Sequence, residues 1–292
     1  MDQEDQVKTS RFIDLQRLKR YPSGRLTTWL ATMVGWVLVL IATPIGLWTV
    51  EAGIFPFLAS LGVLAQLGAT ISALSLEWSA RRILAIGAAV FALAWLVEFW
   101  GVMTGFPFGE YSYTPAMQPQ IGGVPALIPL AWMMMLAPAW GVAQAILGGK
   151  QARLKGWYWL LFAALAGAAF TAWDLYLDPQ MVAREMWAWK AAGGVTFFGI
   201  PWANYVGWWL TSSLITLLIR PTRLPVLPLL AIYAVTWIFQ GIGLGVFWGL
   251  PGPALAGFVA MGFFTLLAYF SARAEASQAD KQQSATGETG AW

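Results

Sequence analysis

Residues 81–113 read RRILAIGAAVFALAWLVEFWGVMTGFPFGEYSY, and their reading decides the fold. After Arg82 the chain runs from Ile83 to Val97 without a charge, meets Glu98, and then breaks into a compact loop of Gly, Pro and aromatic residues. An α-helix rises about 1.5 Å per residue, so Glu98 lies about 24 Å from the arginines. That is near the far side of a hydrocarbon core about 30 Å thick. An acid at such depth is costly unless neutralised or partnered, which makes it a functional hypothesis from the outset.

Working outward, the 292 residues are 59% hydrophobic and 15% aromatic, with only 11% charged. A soluble domain of this length needs far more charged surface. Further apolar runs of spanning length lie at 27–50, 53–76, 124–147, 156–177, 200–219, 224–250 and 253–271. With 83–101 they predict an all-α fold, a polytopic bundle of about eight transmembrane helices with aromatic-rich outer loops. The seventh run is the least clear, because Pro225 and Pro228 crowd its start. Residues 27–273 form a single transmembrane domain in this reading, preceded by a basic tail, 1–26, and followed by a polar tail, 274–292, expected to be disordered.

Lys and Arg give the orientation. One side receives Lys8, Arg11, Arg17, Lys19, Arg20 and Arg25, then Arg81 and Arg82, then Lys150, Arg153 and Lys155. Arg220, Arg223, Arg273 and Lys281 follow on that side, and the opposite side has only Arg184 and Lys190. The positive-inside rule makes the richer side cytoplasmic, and an even helix number puts both termini there, in a multi-pass protein of the cell membrane. Residues 1–25 lack an apolar core before a cleavage site, so they read as a cytosolic tail and not a signal peptide. A net charge of +3 spread over short loops speaks for orientation and against nucleic-acid binding.

The chain has no cysteine and no histidine. Disulfides, thiolate-held clusters and histidine-box iron sites are therefore excluded, and no metal site is expected. Acid–base work falls to Asp, Glu, Tyr, Lys or water. Glu98, Asp174 and Asn204 sit on three different runs at similar offsets from the basic boundary, about 24 to 26 Å at the helical rise. Asp174 and Asp178, in WDLYLDP, are four residues apart and share a helix face. Pro179 disfavours helical geometry at Asp178, so the helix is expected to end there with Asp178 toward the outer loop. The deeper carboxyl is then the one more readily kept protonated. Asp174, Glu98 and Asp178 are the catalytic candidates, with Asp174 read as the acid and an exchange of roles with Glu98 left open.

Plainer readings stand beside these. Interfacial Trp and Tyr form belts in most membrane proteins, Asn204 can simply join two helices, and Asp178 can be a loop residue at the surface. Glu51 and Glu110 read as solvated. GIGLGVFWG at residues 241–249 has glycines spaced faintly like a nucleotide loop, but it lies inside an apolar run and reads as small-residue helix packing.

Four strings in order, EFWGVMTGFPFGEYSYTP, GGVPALIPLAWMMM, TAWDLYLDPQM followed by WAW, and GIPWANYVGWW, resemble the integral-membrane carotenoid hydratases of the CruF type. The resemblance covers about Ala94 to Trp209. It implies a carotenoid 1,2-hydratase, a hydro-lyase without cofactor that adds water to the terminal double bond of an acyclic end group on lycopene, γ-carotene or a C50 relative. The partners it implies are a carotenoid within the bilayer, water, membrane lipid and other enzymes of carotenoid synthesis. Candidate substrate contacts around the first acid are Trp95, Thr104, Phe106, Phe108, Tyr111 and Tyr113. Those around the second are Trp173, Trp187, Trp189, Asn204, Tyr205 and Trp208. Protonating such an alkene gives a tertiary cation that water captures. A neutral carboxylic acid, a second carboxylate and aromatic faces suit those needs. Intramembrane acids equally suit a proton- or cation-coupled transporter, which would need them reachable from both sides.

Overall fold

A computed structural model describes residues 15–50, 52–150, 154–190 and 195–288. The readings made for Glu51, Lys8, Arg11 and Arg153 lie outside these residues. Among the described residues are eight α-helices: α1 Ser23–Thr49, α2 Phe55–Leu74, α3 Ala80–Thr104, α4 Leu127–Leu147, α5 Tyr158–Ala183, α6 Trp202–Ile219, α7 Val226–Ile242 and α8 Pro251–Glu288. Seven are long and apolar enough to cross a membrane, all but α6, so this is an all-α, multi-pass membrane protein.

The bundle is arranged around α4. Of its spanning stretch 89% is buried, against 11% for α1. Helices α2, α3, α5, α7 and α8 all pack on α4, while α1 lies outside on α2 and α6 lies on α5. A helix covered on every side is apolar on every side, and Trp132, Met135, Leu136 and Trp140 of α4 are wholly buried. Glycine sets one close approach: a Cβ at Gly141 would stand 2.6 Å from the Cβ of Leu229 in α7. Some polar groups between helices bond the backbone of a neighbouring helix, as hydrocarbon surroundings favour. The Tyr233 hydroxyl donates to the Ala169 carbonyl at 2.8 Å, and Thr70 donates to the Met134 carbonyl at 3.0 Å.

Three boundaries differ from the sequence reading or sharpen it. Helix α5 does not end at Asp178 but runs through Pro179 to Ala183. Pro179 forfeits one backbone bond, but the turn beyond it is packed, with Pro179 and Gln180 buried, and Arg184 N–H closes it on the Gln180 carbonyl at 3.1 Å. Helix α7 begins at Val226 with Pro225 as its N-cap, where a missing N–H costs nothing, and passes into a π-helical turn, Gly243–Phe247. Helix α8 continues as helix through the Ala-, Gln- and Glu-rich stretch up to Glu288.

At one end of the bundle two long connections interlock. Strand β1, Tyr111–Tyr113, pairs antiparallel with β4, Trp187–Trp189, so that Tyr111 faces Trp189 and Tyr113 faces Trp187. Hairpins β2–β3 (Gln120–Ile121, Val124–Pro125) and β5–β6 (Thr196–Phe197, Ile200–Pro201) flank this ribbon.

Candidate active site

Helix α3 is fixed at both ends before it delivers Glu98. Ser79 caps its start by accepting from Arg82 N–H, and Gly105 stops it in the left-handed region at φ 75°. Glu98 then faces the bundle interior, 2% exposed. Three side chains donate to it: Tyr111 and Tyr113 hydroxyls to Oε2 at 2.5 and 2.8 Å, and Trp132 Nε1 to Oε1 at 3.2 Å. The two tyrosines are neighbours on one face of β1, and burial together with the Glu98 carboxylate pushes both phenols above the ordinary tyrosine range. Both therefore stay protonated donors.

The aspartates are joined by Asn204. Its amide nitrogen donates to Asp174 Oδ2 at 3.0 Å and also to Asp178 Oδ2, while Trp187 Nε1 donates to Asp178 Oδ1 at 3.1 Å. Asp174 is fully buried and its Oδ1 has no partner. Asp178 is 2% exposed, so it is not the surface loop residue of the plainer reading. The pairing of β1 with β4 places Trp187 over it.

Glu98 and Asp178 line one cavity, and Asp174 does not. Helix α4 contributes Ile128, Ala131 and Trp132 to its walls, and Leu177 stands beside Asp178. Tyr113, Trp187, Trp189 and Trp208 complete much of an aromatic surround. Trp132 stacks on Trp208 with ring centroids 5.0 Å apart, and Phe170 stacks behind it. The cavity has room for about two waters.

A plug of loop covers it. Gly109 N–H bonds the Gly105 carbonyl, closing a tight turn, and Gly109 is in the left-handed region at φ 94°. Phe108 fills the gap between α3 and α6, where a Cβ at either Gly101 or Gly207 would stand 2.8 Å from its ring. The turn has room beneath it for one aromatic. Phe106 consequently points outward, 70% exposed, and is not folded over the helix ends with Phe108, Tyr111 and Tyr113.

Other residues predicted from sequence lie apart from the cavity. Trp95 stacks on Phe99 and donates to the Ile121 carbonyl at 3.1 Å, so its ring covers the β2 side of α3. Thr104 donates back to the Trp100 carbonyl and accepts from Phe106 N–H, a helix-end role. Tyr205 packs on Phe197 and Trp202, and its buried hydroxyl has no partner. Trp173 lines a second cavity. Trp132 is a site residue that the sequence reading does not single out. The signal was an indole N–H in a wholly apolar run, which must find an acceptor inside the membrane.

A family model described as carotenoid biosynthesis protein matches residues 57–264, which include every residue named around the cavity. The bisanhydrobacterioruberin hydratase of Haloarcula japonica is 33% identical over 123 residues, covering 42% of this chain and 39% of that protein. The chain thus spans about two-fifths of the length of that relative. No solved structure matches the chain.

Proposed function

The chain belongs to the carotenoid biosynthesis protein family, and from this premise we propose that it is a hydratase, adding water across the terminal 1,2 double bond of an acyclic carotenoid end group without a cofactor. The observation that carries the reading is the cavity itself: two carboxyl groups from different helices, Glu98 and Asp178, face a water-sized space walled by aromatic rings. The name of the partial relative points to the same reaction class.

In this mechanism the Asp174–Asp178 pair holds one proton between two carboxyls, because two like charges on one helix face and one shared amide cannot both be ionised. Asp178 delivers it, since Asp178 faces the cavity and Asp174 does not. The π electrons of the terminal double bond form the new C–H bond at the less substituted carbon, leaving a tertiary cation at the other. The faces of Trp132, Trp187 and Trp208 favour that cation. A water oxygen then forms the C–O bond while Glu98, fixed by its three donors, accepts the proton that the water loses. Return of this proton to the aspartate pair through cavity water restores the catalyst. Asn204 acts here as a positioning residue, fixing both aspartates.

Expression in a lycopene-producing bacterium, with pigments separated by chromatography, tests the reading. More polar 1-hydroxy carotenoids are the expected result. An unchanged pigment profile, with proton-driven uptake of some solute, would replace the hydratase by the transporter. The same reading places the protein in the cell membrane with both termini in the cytoplasm, so a reporter fused near Gln118 should read external and one fused after Arg220 cytoplasmic.

A further inference from the structure

Beside the acid cavity lies a second one of similar size, and the two share a wall made of Ile128, Ala131, Leu177 and Trp187. Its far side is helix α2, through Pro56, Ala59 and Val63. No lining residue carries a charge. Four are methionines, Met117, Met134, Met181 and Met186, out of ten in the whole chain. Methionine is unbranched and polarisable, so it adapts to an irregular apolar guest and makes good contact with a flat π system.

Two further observations say what that guest is. Trp173 also lines the cavity, and its Nε1 is buried without an acceptor. Where that N–H meets the guest, a saturated lipid chain offers it nothing, whereas a conjugated polyene offers a π face. The position is equally telling. Helices α2 and α5 each pack on α4, so the cavity is a slot between α2 and α5 with α4 as its floor. Its loop-side end is bridged where Arg184, the C-cap of α5, lies 5.0 Å from the ring centre of Phe55, the first residue of α2. Ala59 and Val63 are half-buried, while Phe57, Leu61 and Leu64 on the same helix face outward among the lipid-exposed side chains. The slot therefore borders the bilayer along α2.

We propose that this slot receives the stretch of linear isoprenoid polyene next to the reacting end group, which enters sideways from the bilayer between α2 and α5 and presents its terminal double bond across the shared wall to Glu98 and Asp178. The closed slot has room for only a few waters, so the polyene enters as the adaptable methionine side chains give way, and a whole carotenoid is far larger. The rest of the chain stays in the lipid. The inference rests on the hydratase reading for which end reacts, but the ligand class follows from the slot's own lining. It also divides the labour of recognition: the acid cavity handles the end group, and the slot selects for a slender conjugated chain.

The test uses the full chain in lycopene-producing cells, purified in mild detergent, with two readouts: pigment retained per protein by visible absorbance, and hydrated product by chromatography. Ala59→Trp and Val63→Trp fill the slot, and Leu61→Trp adds the same bulk toward lipid. Both filled variants should lose at least about tenfold in retained pigment and in product, with Leu61→Trp close to the parent. Filled variants that run as monodisperse protein with the parent's thermal midpoint, yet retain and hydrate lycopene as the parent does, would overturn the slot. A second measurement needs no variant: peroxide oxidation of Met117, Met181 and Met186, followed by mass spectrometry, should slow several-fold when lycopene is bound, and equal rates with and without pigment would equally overturn it. The two readings fail separately. Parent protein that holds lycopene with its slot methionines protected but forms no alcohol sinks the hydratase and keeps the slot. Hydration that persists in both filled variants sinks the slot and keeps the hydratase.

Discussion

The two ends of the bundle use their buried polar groups differently. At the basic end, bonds join chain segments with no acid-lined cavity between them: Trp78 Nε1 donates to the carbonyls of Thr222 and Arg223, both at 2.9 Å, Arg82 donates to the Thr222 carbonyl and hydroxyl at 3.0 and 2.9 Å, and Trp140 Nε1 donates to the Thr216 hydroxyl at 2.9 Å. Those of Trp78 and Arg82 tie the start of α3 to the connection before α7. At the loop-bearing end, side chains bond side chains around a cavity with two buried acids in its wall. Bonds between segments hold the chain in place, whereas a buried network of acids around a space is costly to keep unless it does something. The contrast implies that changes at the loop end alter rate at nearly constant stability, and changes at the basic end do the reverse.

The largest effects are expected where carboxyls face the cavity. Glu98→Gln and Asp178→Asn keep size and, although an NH2 replaces one accepting oxygen, are neutral and cheaper to bury than a charge, so both should fold. Each should lose about 10²- to 10⁴-fold in hydration rate, the range typical of general acid–base groups. Asp174→Asn should lose less than Asp178→Asn, because Asp174 acts through its neighbour. Rates per folded protein, with thermal midpoints alongside, decide this. A greater loss at Asp174 would reverse the donor assignment, and parent rates in both Glu98→Gln and Asp178→Asn would return the acids to helix packing.

Next come the donors on Glu98. Tyr111→Phe and Tyr113→Phe each remove a hydrogen bond to a carboxylate, worth about 1.5–3 kcal/mol. If that bond steadies Glu98 as it takes a proton, each variant should slow about tenfold, since 1.4 kcal/mol is tenfold. The sign of the pH dependence is fixed as well. Burial and Glu98 raise both phenols above the ordinary value of about 10, so they still donate through that range and the parent should show no alkaline fall from tyrosine there. A fall near pH 10 that vanishes in Tyr111→Phe would contradict the arrangement.

Much of this contrast was legible in the sequence. Apolar runs marked all eight described helices, seven of them long and apolar enough to cross a membrane, because in lipid the backbone satisfies itself and hydropathy marks a span. Glu98, Asp174 and Asn204 could be placed at one level because helical rise converts residue counts into depth. Two things were not legible. Depth says nothing of azimuth, so the sequence could not tell that Asp178 faces the cavity while the deeper Asp174 sits behind it, and it ends α5 at Asp178 because local propensity argues for that when tertiary packing is left out. Nor could it see β1 pair with β4 across more than seventy residues, which is what brings Trp187 onto Asp178 and Trp189 beside Tyr111.

A smaller effect belongs to the turn over the cavity. Gly105 and Gly109 hold φ 75° and 94°, which a β-branched residue resists, and a Cβ at Gly105 would stand 3.0 Å from Glu110 Cγ. Gly105→Val or Gly109→Val should therefore loosen the turn that seats Phe108, admit bulk water, and lower turnover a few-fold or release side products, with membrane insertion unchanged. Chromatography of the full pigment mixture reads this. Unaltered activity in both variants would count against the turn as a lid.

The smallest effect on rate, and the sharpest check on the contrast between the ends, is Trp78→Phe. Trp78 is 2% exposed, packs near Trp140 with ring centroids 6.5 Å apart, and lies beneath Arg82 at 4.4 Å. Phenylalanine keeps a ring under the guanidinium but removes the N–H that two carbonyls share. Arg82 still donates to the Thr222 carbonyl, so the Arg223 carbonyl is the one left without that donor. Leaving one buried acceptor unmet costs about 1–3 kcal/mol, and residual access to water beside the exposed arginine puts the expectation at the low end. The thermal midpoint in detergent should thus fall by a few degrees while the hydration rate per folded molecule stays at the parent value. The two measurements must move apart. If Trp78→Phe instead slowed hydration as much as Tyr111→Phe at an unchanged midpoint, the basic end would be coupled to the chemistry across the whole thickness of the bundle, and the separation of a holding end from a reacting end would have to be given up.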